Sequence, residues 1–131
     1  MSSHKKRKII YIADDDRGIV EALSFMLEDA GYHVESAYDD SVMDLIEKKQ
    51  PDLLILDIWM SGSNGGDICK KLKKNAFTMN IPIIMISANP DTRVISKKCG
   101  ANDYISKPFN IDGLLEKIVD NLTQTPVPMA G

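Results

Sequence analysis

Short apolar runs alternate with amphipathic stretches along this chain, a pattern that predicts a sheet built from repeated strand and helix units. Lys8 to Ala13 reads as the first strand. Between Arg17 and Ala30 the residues Ile19, Leu23, Met26, Leu27 and Ala30 recur at helical spacing, and Gly31 supplies a left-handed stop. His33 to Ala37 predicts a short second strand, less apolar than the first and so nearer an edge. Ser41 is placed to cap a helix over Val42 to Lys49, which Pro51 ends. Leu53 to Leu56 is apolar at every position, as expected of a parallel strand covered on both faces, and it runs into Asp57. Ser61 to Gly66 reads as a loose segment, and Asp67 to Lys74 as a helix whose lysines 70, 71, 73 and 74 form a solvated face. Ile83 to Ile86 predicts the fourth strand, left at Ser87. Asp91 to Cys99 predicts the fourth helix, stopped by Gly100, and Asp103 to Ser106 the fifth strand. Asn110 can cap a last helix over Ile111 to Asn121, with Leu114, Leu115, Ile118 and Leu122 on one stripe. Five strands and five helices joined by right-handed crossovers make a doubly wound α/β sandwich.

Composition narrows the class. A chain of 131 residues is the size of one domain and can bury about two-thirds of its unfolded surface. With 44% hydrophobic and 27% charged residues it is neither disordered nor a disulfide scaffold. The apolar runs are too short to span a bilayer. A net charge of -3 argues against nucleic acid as the main partner, which needs clustered cations. Two cysteines without CxxC spacing, and no signal peptide, predict a cytoplasmic protein. His4 and His33 have no partner at metal-ligand spacing. Cys69 and Cys99 read as small buried hydrophobes. The stretch Lys5 to Lys8 reads as a basic arm, and the end of the chain, with Pro126 and Pro128, as linker-like.

The candidate chemistry lies at the strand ends. Asp14, Asp15 and Asp16 stand where the first strand runs out, Asp57 ends the third, Ser87 the fourth and Lys107 follows the fifth. Open parallel sheets bind ligands outside the carboxyl ends of their strands, so four strands deliver polar groups to one rim. Packed carboxylates repel unless a cation joins them, and hard oxygen ligands suit Mg²⁺. A carboxylate such as Asp57 can attack phosphorus and form an aspartyl phosphate. The phosphoryl oxygens then need positive charge and donors, which Mg²⁺, the Lys107 ammonium and the Ser87 hydroxyl provide. Asp16 also reads as a plain helix cap.

The segments Ile12 to Asp16, Leu53 to Met60, Ile86 to Ala88 and Ser106 to Phe109, in that order and each at a strand end, resemble the receiver domain of bacterial two-component response regulators. The resemblance spans about residues 7–122, leaving 1–6 and 123–131 as flexible termini. It implies a flavodoxin-like (βα)5 fold with strand order 2-1-3-4-5. It implies that Asp57 accepts a phosphoryl group from a phosphohistidine on a sensor kinase or phosphotransfer protein. Asp14, Asp15, Asp57 and the backbone carbonyl of Trp59 would hold Mg²⁺, and Ser87, Ala88 and Lys107 would contact the phosphoryl group. Lys107 and Pro108 would be joined by a cis peptide. Ser87 and Tyr104 would form the switch, although Tyr104 also reads as plain packing. The output would be a changed surface for a downstream protein, with phosphorylation-dependent dimerisation a further option, and without turnover of a diffusing substrate.

The chain departs from the family pattern in the loop after the third strand. Ser61 stands where proline is usual, Asn64 replaces a frequent aspartate, and Gly62 and Gly66 add flexibility, so a more mobile loop with weaker metal affinity is expected. Trp59 is large for a site beside the reactive carboxylate, and with Asn89 it is expected to set the phosphoryl lifetime. Two other functions remain in view. A Mg²⁺-dependent phosphatase with an aspartate nucleophile needs a threonine that Asp14-Asp15-Asp16-Arg17-Gly18 lacks, and a cap to enclose its substrate. A receiver-like module acting without phosphorylation would not need the full set of Asp14, Asp15, Asp57, Ser87 and Lys107.

Overall fold

The computed structural model describes residues 7–123. In chain order the elements are β1 (Ile9–Ala13), α1 (Arg17–Asp29), β2 (His33–Ala37), α2 (Val42–Lys48), β3 (Leu53–Asp57), β4 (Trp59–Met60), β5 (Ser63–Asn64), α3 (Gly65–Lys74), β6 (Ile83–Ser87), α4 (Thr92–Cys99), β7 (Asp103–Ser106) and α5 (Ile111–Thr123). Five strands form one parallel sheet in the order β2-β1-β3-β6-β7. Without the small β4-β5 hairpin this is the expected 2-1-3-4-5 arrangement of a flavodoxin-like fold. The less apolar β2 does lie at an edge. Chain direction across the sheet reverses at β1 and β3, so the crossovers diverge there and open a crevice above their carboxyl ends.

Strand alternation divides the core into two layers. Ile10, Ile12, Leu53, Ile55, Ile84 and Ile86 pack with Val20, Leu23 and Leu27 of α1 and Leu114 and Ile118 of α5. Tyr11, Ala13, Leu54, Leu56, Ile83 and Met85 face α2, α3 and α4 through Val42, Ile46, Ile68, Leu72 and the two cysteines. Both faces of the three central strands are therefore covered, which is why their sequences are apolar up to the polar residues Asp57 and Ser87 that end β3 and β6. Cys69 and Cys99 are buried free thiols.

Several boundaries differ from the sequence reading, each for a local reason. The segment after β3 is a hairpin pairing Trp59 with Asn64 and Met60 with Ser63. α3 starts two residues early because Asn64 caps it, its Oδ1 accepting from Asp67 N at 3.2 Å. Ser41 does not cap α2 through its side chain: it already has helical backbone angles, and its own N–H is held by Asp39 Oδ1 at 2.9 Å. Asn110 does cap α5, accepting from Gly113 N at 2.6 Å. That helix continues beyond the expected Asn121 through Thr123, the last described residue, whose hydroxyl donates to Val119 O at 2.9 Å. The termini at 1–6 and 124–131, with His4, Lys5 and Lys6, lie outside the described residues.

Lys73 does not belong to a solvated face. Its Nζ donates to Met79 O at 3.1 Å, Ile81 O at 2.6 Å and Asn102 Oδ1 at 2.8 Å, which ties α3 to the entry of β6. Burial lowers its pKa. No described helix is long and apolar enough to cross a membrane.

Candidate functional site

The carboxyl end of β1 continues directly into Asp14, which is fully buried. Its N–H is tied to Ala37 O at 3.2 Å across the strand ladder, and its Oδ1 accepts from Asp16 N at 2.9 Å. Its Oδ2 accepts from Lys107 Nζ at 2.8 Å. Lys107 is delivered by the loop after β7 through a cis peptide to Pro108, with its N–H bonded to Ser87 O at 2.9 Å. That backbone bond joins the two strands carrying the hydroxyl and the ammonium, so both enter the rim as one unit.

Asp57 closes β3 and is only 5% exposed. Its Oδ2 stands 3.7 Å from Lys107 Nζ, and the Trp59 N–H donates to its carboxylate. Burial first, and the neighbouring Asp14 charge second, push its pKa up to about 7, against the downward pull of Lys107. Asp15 is exposed and held the opposite way, below the usual carboxylate range, because Ser61 donates to it through its N–H and hydroxyl. One oxygen from each of Asp14, Asp15 and Asp57 lies within 4.8 Å of the others. Asp16 stands outside this group and caps α1, its Oδ1 accepting from Ile19 N at 3.2 Å.

The remaining candidates occupy the same rim or its margin. Ser87 is buried at the end of β6, and its Oγ accepts from Asn89 N at 3.0 Å, which leaves the hydroxyl proton available to donate. Ala88 follows as the first exposed residue and borders an apolar crevice between α1 and the loop carrying Lys107. Trp59 has an exposed side chain and engages Asp57 through its backbone N–H. Tyr104 lies on the edge strand β7, half-buried against the α2-α3-α4 layer, with Lys117 Nζ 5.9 Å from its ring centre. Lys117 in turn bonds Asp103 at 3.1 Å.

The chain and its fold have counterparts among known proteins. Residues 10–119 match the model of the response regulator receiver domain family. The chain belongs to this family. Among solved structures, a candidate response regulator of Chloroflexus aurantiacus J-10-fl is 31% identical at a TM-score of 0.87, covering 91% of this chain and 100% of its own. A CheY-like receiver domain protein of Methanospirillum hungatei JF-1 is 32% identical at 0.82, covering 89% and 94%. The chemotaxis response regulator CheY4 of Vibrio cholerae is 28% identical at 0.82, covering 88% and 99%. Receiver domains serve phosphorylation-controlled signalling rather than classical enzyme turnover, and typically bind Mg²⁺ in an acidic pocket.

Two residues of this receiver domain escaped the sequence reading. Gly65 opens α3 against the backbone of β3: a Cβ there would stand 2.0 Å from the Asp57 carbonyl oxygen, so only glycine lets the helix start so close to the acid. Its N–H bonds Ile58 O at 2.7 Å and closes the hairpin. Ser61 carries the tie to Asp15, so the loop is anchored to the acidic cluster where looseness was expected. The signal for Gly65 was its place in a Gly-Gly pair just before a helix, which flexibility alone did not explain. For Ser61 the signal was the departure from proline, which restores a backbone donor.

Proposed function

We propose that this receiver domain takes a phosphoryl group onto Asp57 from a phosphohistidine of a sensor kinase or phosphotransfer protein, and that the phosphorylated form alters binding to a downstream protein. The observation that carries this reading is the gathering of buried Asp57 with Asp14, Asp15 and Lys107 on one rim. The donor set fits Mg²⁺: three hard carboxylates against one ammonium leave a formal excess of two negative charges, and exposed Asp15 keeps one side open to water. Asp14, Asp15, Asp57 and the Trp59 carbonyl are the ligands in this reading. A bound Mg²⁺ supplies positive charge for the phosphoryl oxygens and favours ionised Asp57.

The chain's own groups do the rest. An Asp57 carboxylate oxygen attacks phosphorus, an O–P bond forms, the N–P bond of the phosphoimidazole breaks, and the departing imidazole keeps the electron pair and takes up a proton. Lys107, already between Asp14 and Asp57, is placed to follow the charge as it moves onto the phosphoryl oxygens. Ser87 Oγ and the Ala88 backbone contact those oxygens, and the Ser87 movement is coupled to Tyr104 at the β7 edge, which carries the signal to the surface. Later attack by water on phosphorus restores the carboxylate and releases inorganic phosphate. The protein acts in the cytoplasm, and a phosphorylation-dependent dimer is one form its output can take.

Acetyl phosphate with Mg²⁺ and intact-mass analysis test this directly. One phosphoryl group is expected on the parent chain and none on Asp57→Ala. An adduct that persists in Asp57→Ala, or turnover of a small phosphomonoester that Asp14→Asn abolishes and Asp57→Ala retains, would replace this reading with the phosphatase one. No adduct on the parent would leave a module acting without phosphorylation.

A further inference from the structure

We propose that Ser61 is a positioning residue of the cation site, holding the Asp15 carboxylate where it can take the metal. The inference rests on the reading of Asp14, Asp15 and Asp57 as magnesium ligands. The three acids differ in what fixes them. Asp14 is buried and bonded on both oxygens, and Asp57 ends a buried strand. Asp15 is the exposed member, and on an open rim its repulsion from two neighbouring carboxylates favours rotamers that turn away.

Ser61 opposes that tendency with two donors from one residue. Its N–H stands 2.7 Å and its Oγ 2.9 Å from the same atom, Asp15 Oδ2, across 46 positions of sequence. With both bonds made, Asp15 still offers an oxygen within 4.8 Å of those of Asp14 and Asp57. A carboxylate has about four lone-pair directions, so two donors on Oδ2 leave capacity for a cation. The tie and the metal are therefore compatible, and the tie removes rotamer freedom that binding would otherwise have to remove. The hairpin presents Ser61 reproducibly: it follows Met60 of β4, and Gly62 at φ 74° makes the turn into β5. Proline at position 61 would offer neither donor, so this support is a property of this chain.

The test is Mg²⁺ titration of the metal-free protein, followed by fluorescence of the single tryptophan, Trp59, and by calorimetry. Ser61→Ala, which loses the hydroxyl donor, is expected to bind Mg²⁺ about tenfold more weakly, the low end for removing a support of a metal ligand. Ser61→Thr keeps both donors and is expected to bind like the parent. Thermal unfolding of the metal-free variants should coincide with that of the parent, because Ser61 is exposed. Equal or tighter binding by Ser61→Ala would overturn the inference, and so would failure of Ser61→Thr to restore affinity. If the parent itself shows no saturable Mg²⁺ binding, the ligand assignment is what fails.

Discussion

Replacing Asp57 by asparagine should stabilise the metal-free protein, and the gain should depend on pH. In the folded chain burial and Asp14 push the Asp57 carboxyl from its ordinary 3.8 up to about 7. Between those two values the native state holds a proton that the unfolded state has released, so stability falls as pH rises through this window. Below about pH 4 both states are protonated and the penalty vanishes, whereas above about pH 7 it is complete. At about 1.4 kcal/mol per unit, the shift sets a ceiling of about 4 kcal/mol. Exposed Asp15 shows that the rim is open to water on one side, and screening there brings the expected gain below that ceiling, to on the order of 2 kcal/mol. Asparagine has the shape of the protonated acid and can still accept from the Trp59 N–H. Urea unfolding with chelator present, at about pH 4 and about pH 8, is the assay: Asp57→Asn should match the parent at the lower pH and exceed it at the higher. A gain independent of pH, or no gain at the higher pH, would refute the argument that the ionised acid is what strains this site.

Other outcomes follow from single contacts. Gly65→Ala should cost about 3 kcal/mol in urea unfolding and impair phosphoryl uptake by acetyl phosphate, because the new methyl collides with the Asp57 backbone rather than with a movable side chain. Lys73→Ala should lower stability by about 2 kcal/mol in the same assay while leaving phosphorylation intact, since it strands the Met79 and Ile81 carbonyls far from the rim. Trp59→Asn should change the half-life of the phosphorylated form, measured by loss of the mass adduct. An unchanged half-life would remove Trp59 from any part in controlling the attacking water.

Much of this protein was legible before any coordinates. A short apolar run such as Leu53 to Leu56, set between amphipathic helical stretches, fits the covered interior of a parallel sheet, so strand positions follow from the pattern along the chain. Placing Asp14, Asp57, Ser87 and Lys107 at strand ends then required only that parallel strands share a direction, because this puts all their carboxyl ends on one rim. Helix ends were less legible. Whether α3 begins at Gly65 or Asp67 depends on Asn64 reaching back to cap it, and α5 runs on to Thr123 through its own last-turn bonds.

What the sequence determined by itself was periodic and local: the strands, the helices, the polar residue that ends each strand, and hence the family. The tertiary structure decided the contacts made between residues of different elements and loops. Lys73 looks like any surface lysine until the β6 entry brings two carbonyls and Asn102 to its ammonium. Gly65 looks merely flexible until the Asp57 carbonyl is found against it, and Ser61 merely polar until it meets Asp15. Hydrophobic pattern specifies which face of an element is buried, whereas the pairing of two polar groups far apart in sequence follows from packing those faces together, and only the folded chain contains that information.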